Sequence, residues 1–465
     1  LNIGVDTPLF FFYDDNDAGI LGRLLEERAT HERSVRRLGV KDLHIQLRDL
    51  IFPLSRTMDM MSPAVGEHNL LVAYLSLRLC EALGFSPEMK SALCIAGALH
   101  DIGAFSLQDR LDLLDFEETR STEHSMAGYL LLRGFKPFEG IATIIRHHHL
   151  PWRSGEGRFC EGQPVPEGSH IIHLADRAAV LISKDRPVLS QVQAIYNKIE
   201  KQKDAVFVPQ YVDALKALTV KDYIWLDIAS GAMESVLYKN IGTDMAQLDV
   251  NDLLEFSKII CRIIDFKSHF TATHSSGVAA VAVAMAKLAG FSEEEYPLFA
   301  ISACLHDLGK LAIPSEILEK PGKLTPEEWD IMRSHVYYTY RALAPIESLH
   351  TVATWGAFHQ ERLDGSGYPF SYAAGDLNFG TRIMAMADVF TGITEDRPYR
   401  KGMSRDEAVA LLKGLARDNK LDKKLVDLLM SNYEEVNDVR VAAQEQAANE
   451  YREFREALKT GLTPL

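Results

Sequence analysis

His68–Phe85, HNLLVAYLSLRLCEALGF, and His274–Phe291, HSSGVAAVAVAMAKLAGF, are two versions of one segment. Each opens on a histidine, carries apolar residues at three- and four-residue steps, and closes 17 residues later on Gly-Phe. That period is the signature of a helix with a buried face. Self-similarity of this kind means a duplicated unit, which decides the architecture.

The match continues downstream. His68 to His100 and His274 to His306 both span 32 residues, and each second histidine opens nearly the same phrase, ALHDIGA at 98–104 and CLHDLGK at 304–310. The next histidine follows after 24 residues in the first copy (His124) and 29 in the second (His335). His148 and His359 each lie 24 further on; Asp176 and Asp388 follow after 28 and 29. Chance does not keep these polar landmarks in step with the apolar pattern around them.

The expected fold is therefore all-α, with two helical domains in tandem related by duplication. No run alternates with period two between hairpin turns, so no substantial sheet is expected. Thr325-Pro326-Glu327-Glu328 reads as a helix start with a capping box, and Ser292–Glu295 offers the same box. The boundaries read as a leader at 1–39, a first unit at 40–190, connecting helices at 191–251, a second unit at 252–430 and a C-terminal helix at 431–465. Within the last, Val436–Leu458 is rich in Ala, Gln, Glu and Arg and reads as solvent-facing.

A chain of 465 residues exceeds one typical domain, and 47% apolar with 25% charged residues is the composition of packed protein. The formal charge of −15 argues against broad binding to nucleic acid polymers, which depends on Lys and Arg displacing counterions. A small anion in a locally basic pocket stays compatible with it. Cys80, Cys94, Cys160, Cys261 and Cys304 form no C-x-x-C pair, which points to reduced, buried thiols in a cytoplasmic protein. No stretch approaches the roughly 20 uninterrupted apolar residues of a membrane span. The best candidate, Val278–Ala289, is broken by Lys287 and reads as a buried helix. The chain begins at Leu1 rather than methionine, which leaves room for an upstream segment, and a homo-oligomer is compatible with everything above.

A single histidine on an apolar face is ordinarily a packed core residue; the repeated set is different. An adjacent His-Asp pair presents an imidazole nitrogen and a carboxylate whose two oxygens can bridge two cations. Further histidines and a distant aspartate complete a mixed nitrogen and oxygen shell suited to Fe, Mn, Ni, Co or Zn. Two such metals acidify a water and clamp the attacking and leaving oxygens of an in-line phosphoryl displacement, so phosphoester hydrolysis is the natural inference. The cluster contains no thiolate, which argues against a structural zinc knot.

The phrases HDLGK (306–310), EILEKPGKLTPEEWDIMRSH (316–335), HQERLDGSGYP (359–369) and ADVFTGITEDRPYRK (387–401) resemble the HD-GYP family, a branch of the HD-domain metal-dependent phosphohydrolases. The resemblance covers roughly 255–415, while residues 60–190 resemble a second HD domain without a GYP motif. It implies hydrolysis of a bacterial cyclic dinucleotide, cyclic di-GMP or cyclic GMP-AMP, to a linear dinucleotide or mononucleotides. By the same resemblance, His274, His306, Asp307, His335, His359 and Asp388 hold two divalent metals, with Asp307 as the bridge. Lys310 falls on the lysine that neutralises the scissile phosphate. Gly367, Tyr368 and Pro369 form the motif that meets the ligand, and Arg397 and Arg400 fall on phosphate-contacting positions.

Two positions depart from members with a third metal: Phe270 and Gln360 stand where a Glu and a second His are expected, so the second site reads as binuclear. The first copy keeps His68, His100, Asp101, His124, His148 and Asp176, with His149 opposite Gln360, and metal binding is expected there too. Yet Ala104 replaces the lysine, and RSGEGRF (153–159) replaces DGSGYPF (364–370), while Arg186 and Pro187 still echo Arg397 and Pro398. A duplicate kept for packing, a metal, redox or ligand sensor, and a second hydrolytic site all fit this pattern. For the whole chain the alternative is a non-catalytic module sensing metal, nucleotide or oxygen; the GYP stretch disfavours a mononucleotidase.

Overall fold

In the computed structural model, which describes residues 43–61, 66–114, 116, 122–242, 247–267, 273–396 and 400–461, both versions of the repeated segment are helices that begin on their histidine. The leader at 1–39, Phe270 and Arg397 lie outside the described residues. The chain runs through α1 (Leu47–Asp59), α2 (His68–Leu83), α3 (Pro87–Leu99), α4 (Leu107–Leu113), α5 (Thr122–Leu132), α6 (Glu139–Arg146) and α7 (Glu167–Ala179). Four connecting helices follow: α8 (Val192–Glu200), α9 (Pro209–Thr219), α10 (Asp222–Ala229) and α11 (Met233–Asn240). The second copy comprises α12 (Val250–Lys267), α13 (His274–Leu288), α14 (Tyr296–Leu305), α15 (Ser315–Leu318), α16 (Pro326–Leu343), α17 (His350–Ala357) and α18 (Phe379–Thr394). It closes with α19 (Arg405–Arg417), α20 (Lys423–Ser431) and α21 (Tyr433–Gly461).

Sheet is confined, among the described residues, to two antiparallel pairs of two-residue strands, Ile45–Gln46 with Gln247–Leu248 and Phe159–Cys160 with Gln163–Pro164. The all-α expectation holds. The connecting helices pack on the first copy: α9 and α11 lie against α2, Trp225 is fully buried, and the Tyr74 hydroxyl donates to Asp227 at 2.7 Å. Thr325 caps α16 with the reciprocal box to Glu328, as its sequence reads. At Ser292 only half of the box forms: its N–H and hydroxyl both donate to the Glu295 carboxylate, while the Glu295 N–H turns to the Ser292 carbonyl, and this turn lies ahead of the helix. Helix α14 starts only at Tyr296, with Pro297 in its first turn, where a missing N–H costs nothing.

The two copies interlock. Helix α1, which leads the first copy, packs against α16 and the 3-10 turn Leu308–Ala312 of the second. Helix α12, which leads the second, packs against α5 of the first, where Phe256 meets the rings of Phe135 and Phe138 at 6.0 and 6.1 Å. The second core gathers Val278, Val281, Met285, Phe299, Ile383, Phe390, Leu425 and Val436.

The C-terminal helix corrects its solvent-facing reading. Helix α21 packs along α13 and touches α5, with Tyr433, Val436, Arg440 and Leu458 buried. Its apolar anchors are too sparse to form a stripe in sequence; Tyr451 and Phe454 meet the ring of Phe266 at 4.8 and 4.9 Å, and Arg262 donates to Glu450. The cysteines are all free; four are buried, and Cys160 is half-buried rather than in the core. No helix among the described residues is long and apolar enough to cross a membrane.

Candidate metal centres

Five helices of the second copy bring its six residues together. His274 opens α13, His306 and Asp307 follow α14 directly, His335 lies in α16, His359 follows α17, and Asp388 lies in α18. All but Asp388 are at most 4% exposed. His274 Nε2 stands 3.2 Å from Asp388 Oδ1. Asp307 faces two ways: Oδ2 lies 3.1 Å from His306 Nε2 and bonds to Lys310 Nζ, while Oδ1 lies 3.3 Å from His335 Nε2 and 3.9 Å from His359 Nε2. A carboxylate splayed between two sets of imidazoles has the arrangement of a bridge. His274, His306 and Asp388 form one group within 4.8 Å, and His306, Asp307 and His359 form another.

Backbone geometry fixes which nitrogen faces inward. Nδ1 of His306, His335 and His359 each meets a carbonyl three residues earlier, on Ala303, Met332 and Gly356, at 2.6 to 2.7 Å. Those carbonyls accept Nδ1–H, so the Nε2 lone pair points into the cluster, and ligand histidines are ordinarily oriented this way. His306 Nε2, His335 Nε2 and Asp307 Oδ1 are buried with no hydrogen-bond partner. Buried polar atoms are rarely orphaned, and orphans converging on one point fit a cation.

Charge agrees. Burial would raise Asp307, but His306 and Lys310 hold it well below the usual carboxylate range; Asp388 is lowered in the same way by His274 and His359. His359 is pushed down to about 3 by burial and by His306, which leaves it a neutral ligand. His274 and His306 go the other way: burial lowers both, yet Glu395 and Asp388 raise His274 to about 10, and Asp307 raises His306. Both Glu395 oxygens lie 3.1 Å from His274 Nδ1, and Gln444 of α21 donates to Glu395 at 3.0 Å.

The turn carrying Lys310 is clamped from behind. Lys267, buried at the end of α12, donates to the carbonyls of Lys310, Leu311 and Ile313 at 3.1, 2.9 and 2.7 Å. Gly309 sits so close to α16 that a Cβ would come 1.9 Å from the His335 carbonyl oxygen. Its N–H donates to Thr339 Oγ1. Glu361 organises the GYP loop: its buried carboxylate accepts from the N–H groups of Phe370 and Tyr372 at 2.8 and 3.0 Å. Gly367 backs onto the Glu361 and Arg362 backbone, where any side chain would clash. Pro369 follows Tyr368, which burial and the Asp388 charge hold protonated. Arg400 donates to the Gly392 carbonyl, one turn beyond Asp388. Gln360, opposite the expected third-metal histidine, donates to Asp388 Oδ2 at 3.1 Å.

The first copy builds the same map. His68 Nε2 is 3.2 Å from Asp176 Oδ1; His100 and His124 Nε2 are 3.4 and 3.5 Å from Asp101 Oδ1. His124 Nε2 lies 3.3 Å from His148 Nε2 and 3.2 Å from His149 Nε2. His100 and His148 again turn Nδ1 to carbonyls three residues back. His68 Nε2, His100 Nε2, Asp101 Oδ1 and Asp176 Oδ1 are buried orphans. Burial pushes His124 down to about 4 and His148 and His149 well below their ordinary value, so these imidazoles are neutral donors. The surroundings differ, however. Asp176 Oδ2 is held by Arg177 at 2.7 Å, and Arg110 donates to the Asp101 and Ala104 carbonyls where the other copy has Lys310.

Several contributors escaped the sequence reading. Glu395 precedes the Asp-Arg-Pro phrase that both copies share, and Lys184 stands there in the first. Asp59 and Asp265 each lie nine residues before the first histidine and bond to the residue after it, Asn69 and Ser275. Extending the internal alignment upstream exposes that pair; nothing local marks Gln444 or Lys267.

Comparison with known proteins agrees with the duplication. An HD domain profile matches residues 65–181, and a second HD domain profile matches 258–425. The chain belongs to the HD-domain family, with two copies of the domain. Relatives include the 3'3'-cGAMP-specific phosphodiesterase 1 of Vibrio cholerae serotype O1, 27% identical over 86% of this chain and 94% of that protein. The cyclic di-GMP phosphodiesterase response regulator of Xanthomonas campestris is 35% identical over 37% of this chain and 46% of its own length. A crystal structure of a cyclic GMP-AMP-specific phosphodiesterase of V. cholerae superposes with a TM-score of 0.58 at 22% identity. The superposition covers 84% of this chain and 98% of that one, so the tandem HD fold is common to both.

Proposed function

We propose that this protein is a metal-dependent phosphodiesterase that hydrolyses a bacterial cyclic dinucleotide, cyclic di-GMP or 3'3'-cyclic GMP-AMP, in its second HD domain. One observation carries the assignment. Only that copy joins a buried cluster of inward-facing orphan ligand atoms to a lysine and a GYP tyrosine at its edge. The relatives' names supply the substrate class.

His274, His306, Asp307, His335, His359 and Asp388 would hold two divalent transition metals, Fe, Mn, Ni, Co or Zn, and the donor set fits them. When bound, they supply Lewis acidity at the phosphate and an acidified water. The chain's own residues do the rest. Lys310, fixed by the Lys267 clamp, places positive charge beside Asp307, where it offsets the charge that develops on the phosphoryl oxygens. Tyr368 presents a protonated phenol, and Gly367 and Pro369 hold its loop against Glu361. By the resemblance of their motif, Arg397 and Arg400 are assigned to phosphate contacts.

The first HD domain would hold metal with Ala104 in place of the lysine and without the GYP tyrosine, which favours a regulatory or stabilising role over a second hydrolytic site. Chromatography of products from both cyclic dinucleotides, with elemental analysis of the same preparation, tests the proposal. A metal-loaded protein that leaves both substrates intact would refute it.

A further inference from the structure

We infer that Trp329, Arg333 and Tyr368 form a guanine-reading subsite at the rim of the second metal centre. This rests on the cyclic-dinucleotide reading and names the part of the substrate each residue takes.

Trp329 is 46% exposed, while Trp225 and Trp355 are buried. Leaving an indole in water is unfavourable, and here it occurs beside the proposed site. Its ring meets Tyr368 edge-on, with centroids 6.1 Å apart. Arg333, one turn along the same face of α16, places its guanidinium carbon 5.1 Å from the Tyr368 centroid. The Tyr368 backbone N–H donates to the Gln360 carbonyl at 3.3 Å, and the Gln360 side chain donates to Asp388 Oδ2 at 3.1 Å, so this aromatic wall adjoins the cluster.

The platform is rigid. Thr325 caps α16, Glu328 is tied to Lys320, and His335 anchors the helix at the metal centre. Arg333 itself is 45% exposed; beside its approach to the Tyr368 ring it has a long 3.9 Å ion pair with Asp330, so its donors remain accessible.

A cyclic dinucleotide needs more than phosphate contacts, since its purines extend away from the ring of phosphates and sugars. An exposed indole is a stacking surface for a purine. A guanidinium beside it matches the O6 and N7 acceptors of guanine, which it can engage with two hydrogen bonds, whereas adenine presents a donor at the corresponding position. The first HD domain supports the pairing by contrast. Counting back from His124 as from His335, it has Glu118 and Thr122 at these positions, and it also lacks the GYP tyrosine.

Steady-state kinetics of the metal-loaded full chain provide the test, with cyclic di-GMP, 3'3'-cyclic GMP-AMP and bis(p-nitrophenyl) phosphate as substrates and cyclic di-AMP as competitor. Trp329→Ala should raise KM for both guanine-containing substrates by about tenfold, with kcat and turnover of the simple diester little changed. Trp329→Phe should restore most of the affinity. Arg333→Ala should cut the preference for cyclic di-GMP over cyclic di-AMP by about tenfold. Unchanged KM and preference in these variants would overturn the subsite, as would an equal loss of turnover on the simple diester. A wild-type protein that cleaves the simple diester but no cyclic dinucleotide would overturn the substrate reading and the subsite together.

Discussion

Glu395→Ala tests whether a carboxylate outside the ligand set sustains the metal centre. Glu395 is 5% exposed and places both oxygens 3.1 Å from His274 Nδ1. Its removal strands the Nδ1–H and the Gln444 amide that donates to it. A hydrogen bond to a charged partner contributes about 1.5–3 kcal/mol, which corresponds to roughly 10- to 150-fold in affinity. Loss of a carboxylate behind a ligand histidine commonly costs 10- to 100-fold in metal affinity or activity. Glu395→Ala should therefore weaken metal retention by about that range, and Glu395→Gln, which keeps an acceptor but not the charge, by about tenfold. Gln444→Ala, which removes only the outer support, should have the smallest effect of the three. Elemental analysis after dialysis against graded chelator, with turnover measured at matched free metal, reads each of these. Turnover of Glu395→Gln should recover at saturating metal, because its defect lies in holding the ion. Wild-type metal retention and turnover in Glu395→Ala would refute the reasoning.

The remaining predictions separate the two copies and their parts. His306→Ala with Asp307→Ala should abolish hydrolysis while metal persists in the first domain; His100→Ala with Asp101→Ala should empty the first domain yet leave hydrolysis measurable, and the reverse pattern would make the GYP half the sensor. Lys310→Ala should retain metal but lower turnover on the order of a hundredfold, the scale of one lost electrostatic stabiliser, and an unchanged rate would make Lys310 structural. Gly309→Ala should lower the melting temperature, by about 1–3 kcal/mol of stability, because its Cβ would collide with the His335 carbonyl. Gly375→Ala, where nothing lies within 4 Å, should not, and equal behaviour of the two would discount the close packing as a constraint.

Much of the fold was legible because duplication makes the chain its own alignment. The repeated intervals from His68 to Asp176 and from His274 to Asp388 isolate the ligand sets without any outside reference. The helices that carry them show the apolar period directly, and Thr325 marks its helix start through local chemistry alone. Where the reading failed, the cause was either a neighbouring residue that overrode the local signal or a contact with a distant segment. Ser292 carries the local signal for a helix start, but Pro297 sets the actual first turn. Helix α21 reads as solvated because its anchors, Tyr433, Val436 and Leu458, are isolated among polar residues.

The sequence by itself determined the helical class, the duplication, both candidate ligand sets and the asymmetry of Lys310 and Tyr368 against Ala104 and Gly157, since each depends on residue type and spacing. Only the tertiary structure decided how those residues are held. The Glu395–His274 contact spans 121 residues, the Lys267 clamp crosses 43 to 46, and Gln444 reaches Glu395 from a helix 49 residues on. A hydrogen bond depends on where two atoms arrive after packing, and spacing along the chain carries that information only when both partners share one helix or turn.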